Sequence, residues 1–226
     1  MKLIITDVTE MHSGNYCVAG WDQQTQRMVR PLQNGQNWTT GLLQQCGIVA
    51  GASIDVTPTG QQHLSLFPHQ TEDTLIDIAG FQLIHPGPIA WFGADAPPTY
   101  GTVHQAFGRH LAYSKIWNGA QQGVHVPENT QIGSLSAVRL PAGALNLFED
   151  SYNGKTSLRA YLDDGHSCYN LPVVAKNLRE IYRLNGINAV QQILPLQGNV
   201  HVRLGLARAW AGQPGKCSLM INGIHS

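Results

Sequence analysis

The chain has 226 residues, with 14 Lys and Arg against 14 Asp and Glu, so its formal net charge is zero. Charged residues make up only 12% of it and hydrophobic ones 42%. That excludes a disordered tail and a coiled coil, and it confines any nucleic-acid site to a local patch. The 24 glycines and 12 prolines predict many turns and more strand than helix.

The first apolar run, Leu3-Ile4-Ile5, is far shorter than the roughly 7–15 residues of a secretory signal. No run approaches the ~20 apolar residues of a membrane span. Cys17, Cys46, Cys168 and Cys217 form no Cys-x-x-Cys pair. They could close two disulfides, but the ample core favours free thiols and a cytoplasmic protein.

In chain order, Leu3-Ile4-Ile5 reads as a buried strand. Tyr16-Cys17-Val18-Ala19-Gly20-Trp21 reads as a second, after a Ser13-Gly14-Asn15 turn. Arg27-Met28-Val29-Arg30 alternates as a half-buried strand does, and Pro31 closes it. Residues 33–47 read as a loop or weak helix, and 47–57 as a strand with glycine breaks. His85-Pro86-Gly87-Pro88 and Ala96-Pro97-Pro98 are turn signals. Val103, Phe107 and Leu111 predict a helix over 101–113. Residues 133–139 follow as a strand. Residues 157–162 and 168–173 flank Asp163-Asp164-Gly165-His166, a hairpin signal because Asp-Gly tolerates positive φ. Val174, Leu178, Ile181 and Tyr182 predict a helix over 174–185, capped by Gly186. Strands over 200–207 and 216–224 complete the chain. In the second half this is the element order of a five-stranded OB barrel.

Residues 1–113 hold four basic against eight acidic residues, a net of −4; residues 114–226 hold ten against six, a net of +4. An acidic half followed by a basic half predicts two units, one of them facing an anion, with a boundary near 115–130.

Six segments carry a family resemblance. They are Thr6-Asp7-Val8-Thr9-Glu10-Met11, Cys17-Val18-Ala19-Gly20-Trp21-Asp22, Val29-Arg30-Pro31-Leu32, Pro68-His69-Gln70-Thr71-Glu72-Asp73, Val202-Arg203-Leu204-Gly205-Leu206-Ala207-Arg208 and Cys217-Ser218-Leu219-Met220-Ile221-Asn222-Gly223-Ile224. In this order they resemble a bacterial dual OB-domain family found near mobile elements and conflict systems. The resemblance implies a mainly β fold with short helices and two tandem OB-like barrels. The first, over 1–120, would carry long loop insertions; the second, over 121–226, would carry the capping helix. It also implies nucleic-acid or nucleotide binding. Glu10 stands where the family commonly has a basic residue, which removes one cation from the first unit.

Nine of the fourteen basic residues are arginines. Arg203, Arg208, Trp210 and Lys216 cluster around the last two strands. Cations that track phosphates beside a ring that stacks on bases hold a single strand. The competing structural use pairs an arginine with Asp163 or Asp164 across the barrel rim and buries the tryptophan. Arg27, Arg30 and Trp21 on adjacent strands offer a second phosphate contact, or an arginine bound to loop carbonyls. His69, Glu72 and Asp73 could supply metal ligands or an acid–base pair; the commoner use of Thr71-Glu72-Asp73 is to start a helix. The ten histidines show no His-x-x-x-His or His-Glu-x-x-His spacing, and there is no P-loop, Gly-x-Gly-x-x-Gly or Gly-x-Ser-x-Gly. The sequence thus predicts a non-enzymatic binder of single-stranded DNA or RNA, working without cofactor or metal. The alternatives are a sensor of a nucleotide or modified base, a metal-assisted enzyme built on His69, Glu72 and Asp73, and a protein-interaction adaptor.

Overall fold

A computed structural model describes residues 1–61, 63–87 and 97–225. The turn signals at Pro88 and Ala96 lie outside the described residues. Contacts divide the chain into two compact units, Met1–Pro98 and Thr99–Ser226. This division falls ahead of the 115–130 stretch, because Val103 and Phe107 fill the second core rather than the first.

The first unit contains β1 (Lys2–Glu10), β2 (Asn15–Asp22), β3 (Arg27–Gln33), β4 (Trp38–Thr39), α1 (Thr40–Cys46), β5 (Ser53–Pro58) and β6 (Asp73–His85). Alternation sets the strands: Leu3 and Ile5 point into the core, and a register shift past Thr6 returns Val8 to the same side. The hairpin from β2 to β3 is fixed by Asp22, whose Oδ1 accepts from the Gln24 N–H at 3.0 Å and whose Oδ2 accepts from Thr25 Oγ1 at 2.7 Å. Antiparallel pairing joins β1 to β2, β2 to β3, β6 to β5 and β5 to β1, and parallel pairing joins β3 to β6. The ladder therefore closes on itself, in the order of an OB barrel with its helix between the third and fourth strands. Thr39 caps that helix, its Oγ1 accepting from the Leu42 N–H at 3.3 Å. Trp38 is fully buried and donates from Nε1 to the Pro31 carbonyl at 2.8 Å. The expected helix start at Thr71-Glu72-Asp73 is instead a turn leading into β6. The alternating run that follows pairs with β3 and β5, and two-sided strand pairing outweighs a local capping signal.

The second unit contains α2 (Val103–Phe107), β7 (Lys115–Trp117), β8 (Ala120–Gln122), β9 (His125–Pro127), β10 (Leu135–Pro141), β11 (Leu145–Tyr152), β12 (Lys155–Asp163), β13 (Cys168–Pro172), α3 (Lys176–Gln191), β14 (Asn199–Leu206) and β15 (Lys216–His225). Strands β10 and β11 are two halves of one bent strand, broken at Gly143 with φ 89°. The first half pairs with β14 and the second with β12. Next come β12 with β13 and β14 with β15, while the parallel bridge Val173–Ile221 links the third strand to the fifth. The circuit repeats that of the first unit, with two additions. Strands β8 and β7 extend it beside β13, and β9 lies along β15.

Helix α2 opens with a reciprocal cap: Thr102 Oγ1 accepts from the Gln105 N–H, and Gln105 Oε1 accepts from the Thr102 N–H. Gly108, at φ 68°, ends it well before 113. In α3, Leu178 is buried while Ile181 and Tyr182 pack against the core. Gly186 interrupts this helix without ending it (φ 77°, ψ −178°); residues 187–191 resume and bury Val190. Between β12 and β13, Asp163 Oδ1 accepts from the Gly165 N–H at 2.9 Å, and Gly165 has φ 81°. A side chain in this left-handed conformation costs about 1–2 kcal/mol. Gly165→Ala should therefore lower the second unit's stability by that amount in urea denaturation, although open space surrounds the site.

All four cysteines are free. Among the described residues, no helix is long and apolar enough to cross a membrane.

Candidate functional site

On the outer face of β11 and β12, the register decides what is displayed. Leu145, Leu147, Leu158, Ala160 and Leu162 fill the core, so the alternate positions Phe148, Arg159 and Tyr161 face outward. The Phe148 and Tyr161 rings stack, with centroids 4.5 Å apart and planes 15° from parallel. Arg159, opposite Phe148, is held by its neighbour on β13: Nε donates to Asn170 Oδ1 at 2.6 Å and Nη2 to the Asn170 carbonyl at 3.0 Å. Asp150 Oδ2 lies 3.7 Å from Arg159 Nε. Burial pushes the Arg159 pKa down, and Asp150 opposes the shift.

Beside this pair opens a cavity of about 340 Å³, whose walls include Lys115, Gln122, Asp150, Arg159, Asn170 and Gln213. Lys115 Nζ lies 5.5 Å from the centre of the Trp117 ring, which is 58% exposed. Gln213 belongs to loop 207–215, between the fourth and fifth strands of the barrel. In the same loop Arg208 is half-buried and Trp210 is 63% exposed. The Trp210 ring lies close over Gly212, where an added Cβ would sit 2.1 Å from Cη2. Its carbonyl accepts from the Gln213 N–H at 2.8 Å. Lys216, exposed, opens the next strand. Arg208, Trp210 and Lys216 thus share one loop and the strand start after it.

The remaining expected residues are placed differently. Arg203 is on the outer side of β14, since Val202 and Leu204 fill the core, yet it is 1% exposed. His201 near it is held below the usual imidazole pKa by burial and by Arg139 and Arg203. Asp164, weighed as an arginine partner, instead accepts from the Val103 N–H at 2.9 Å and so anchors α2.

In the first unit Arg27 is exposed and Trp21 buried, with no partner for the Trp21 Nε1 among the described residues. Arg30 is buried and donates from Nη1 to Asp73 Oδ1 at 2.6 Å and from Nε to Cys17 Sγ at 3.2 Å. Burial alone would lower its pKa, but Cys17, Asp73 and Glu72 together raise it. Ser65, from loop 59–72, donates to the other Asp73 oxygen and is hydrogen-bonded by His63 Nδ1. His69 and Glu72 are buried in the same loop, where the His69 carbonyl accepts from the Glu72 and Asp73 N–H groups at 3.1 Å. Among the described residues, no three His, Cys, Asp or Glu side chains are placed to hold a metal ion.

Sequence reasoning missed Phe148, Arg159, Tyr161, Lys115 and Trp117. The usable signal was the spacing of Arg159 and Tyr161, two apart and therefore on one face of a strand. Compared with known proteins, residues 1–224 match the family model described as the dual OB-containing domain. No curated protein matches the sequence.

Proposed function

The chain belongs to the dual OB-containing domain family, and from that premise we propose that it binds single-stranded nucleic acid, DNA or RNA, through its second unit. The observation that carries this reading is the outer face of β11 and β12, the first and second strands of the barrel, beside the loop between the fourth and fifth; OB folds take oligonucleotides on the face of their second and third strands and on that loop. There the unit presents the stacked Phe148–Tyr161 pair, the exposed Trp117 and Trp210, and the cations Lys115, Arg159, Arg208 and Lys216. Rings stack on bases and cations track phosphates. Arg203 and Arg30, being buried, hold structure in this reading, whereas exposed Arg27 remains open to a phosphate on the first unit.

The test is the affinity of oligo(dT) and oligo(U), followed by fluorescence anisotropy at several salt concentrations. Trp210→Ala should cost roughly 1–3 kcal/mol of binding with little change in salt slope, as loss of a stacking ring does. Lys216→Gln should make the slope shallower by about 0.7, the signature of one lost phosphate contact on a single strand. Folded variants that leave affinity and slope unchanged would overturn the assignment. The cavity favours a second reading, a mononucleotide sensor. It predicts binding that does not strengthen with oligomer length.

A further inference from the structure

The cavity beside Arg159 has a chemistry of its own. The guanidinium is clamped side-on: Nε–H and one of the two N–H groups of Nη2 are spent on Asn170, through its side-chain and main-chain oxygens. Asn170 is 4% exposed, so the clamp is built into the barrel wall. This leaves the end-on edge of the guanidinium, with parallel N–H groups on Nη1 and Nη2, as the pair of donors still open to a ligand. Among the described residues Nη1 has no hydrogen-bond partner and is not buried. A planar fork of this kind matches two adjacent acceptors. In the same cavity, Asp150 contributes a half-exposed carboxylate, with Oδ2 3.7 Å from Arg159 Nε and so beside the clamped edge of the guanidinium. A donor pair and an acceptor pair therefore line one cavity. The cavity volume of about 340 Å³ falls at the low end of the roughly 300–1,000 Å³ of small-ligand pockets.

We propose that this cavity is a guanine pocket, in which the open edge of Arg159 takes O6 and N7 and Asp150 takes the N1–H and N2–H groups of one unstacked guanine. The inference rests on the single-strand reading above and names the base preference of that surface. Guanine is the base whose neighbouring edges carry two acceptors and then two donors. Adenine sets an amino donor beside N7 and so meets the fork with a like group. Cytosine has an acceptor pair but only its amino group to offer a carboxylate, and thymine and uracil have a single N–H.

The experiment compares labelled oligo(dT) with the same oligomer carrying one central deoxyguanosine, deoxyadenosine or deoxycytidine, using the whole chain. The deoxyguanosine oligomer should bind roughly tenfold tighter or more, the scale of one good bidentate base contact, and the other two should bind like oligo(dT). Arg159→Lys keeps the charge but removes the fork, so it should abolish the preference while leaving the salt slope unchanged. Asp150→Asn should reduce the ratio of deoxyguanosine-oligomer affinity to oligo(dT) affinity, because it removes one of the two acceptors that N1–H and N2–H need. Equal affinity for all four oligomers would mean that the fork holds a phosphate, and would overturn the guanine pocket while leaving the interface standing. Preference for deoxyadenosine or deoxycytidine would overturn it as well. Failure of every oligomer to bind at low salt would overturn the interface and the pocket together. The comparison of oligomers on the unsubstituted chain needs no variant to fold.

Discussion

Arg30→Ala is expected to destabilise the first unit by about 3–5 kcal/mol, the range for removing one partner of a buried ion pair. The Asp73 side chain has no exposure, and Arg30 Nη1 meets its Oδ1 at 2.6 Å. Without the guanidinium, a carboxylate would remain buried beside Glu72, having lost the ion pair that balances its charge. Loop 59–72 is tied to this carboxylate through Ser65, so the loss should spread along the loop. Urea denaturation of the variant checks the magnitude. A decisive control is the double variant Arg30→Met with Asp73→Leu. It removes both charges and should recover most of the loss, because the penalty comes from the orphaned charge rather than from the missing attraction. A loss below about 1 kcal/mol for Arg30→Ala would mean that water already reaches the pair.

Trp38→Ala should cost a similar amount, about 3–5 kcal/mol, for a different reason. Trp38 is the largest fully buried side chain of the first core and meets Phe81 edge to face, with centroids 6.3 Å apart. Its removal opens a cavity at the junction of β4 and α1 and strips the Pro31 carbonyl of its donor. Trp38→Phe separates the two effects. It keeps most of the apolar contact and should lose roughly 1 kcal/mol for the hydrogen bond, plus a smaller packing term. Equal losses for the two variants would show that the hydrogen bond, not the volume, holds this region.

The hairpin at Asp163-Asp164-Gly165-His166 and the apolar stripe of α3 were legible because their causes are local: a positive-φ glycine and a periodic face. Strand β11 was not legible. Its Leu145 and Leu147 alternate properly, but Glu149 and Asp150 follow, and acidic residues are poor strand formers on their own; pairing with β12 along its whole length overrides them. Gly186 shows the opposite failure. It takes the positive φ expected of a cap, yet Val190 finds room in the core, so the helix resumes beyond it. At the site, sequence placed Arg208, Trp210 and Lys216 together because they are neighbours along the chain. It could not show that Arg30 would meet Asp73, 43 positions away, through the parallel pairing of β3 with β6. Nor could it show that Asn170 would orient Arg159, since both facts depend on register between strands.

The closed order of strands has a consequence during synthesis. In the first unit the closing strand is β6, which pairs with both β3 and β5, so the circuit is complete in sequence by His85. In the second unit the closing strand is β15, which must lie against β14 and bridge to Val173. As the chain leaves the ribosome from its N-terminal end, the first barrel can zip shut while the second is still an open, curled sheet. Until residues 216–225 emerge, the edge of β14 stands unpaired and able to recruit a stray strand. Contacts of such long sequence separation also form slowly. The second unit, which carries the proposed interface, therefore matures after the first and is the more exposed of the two to aggregation while it does.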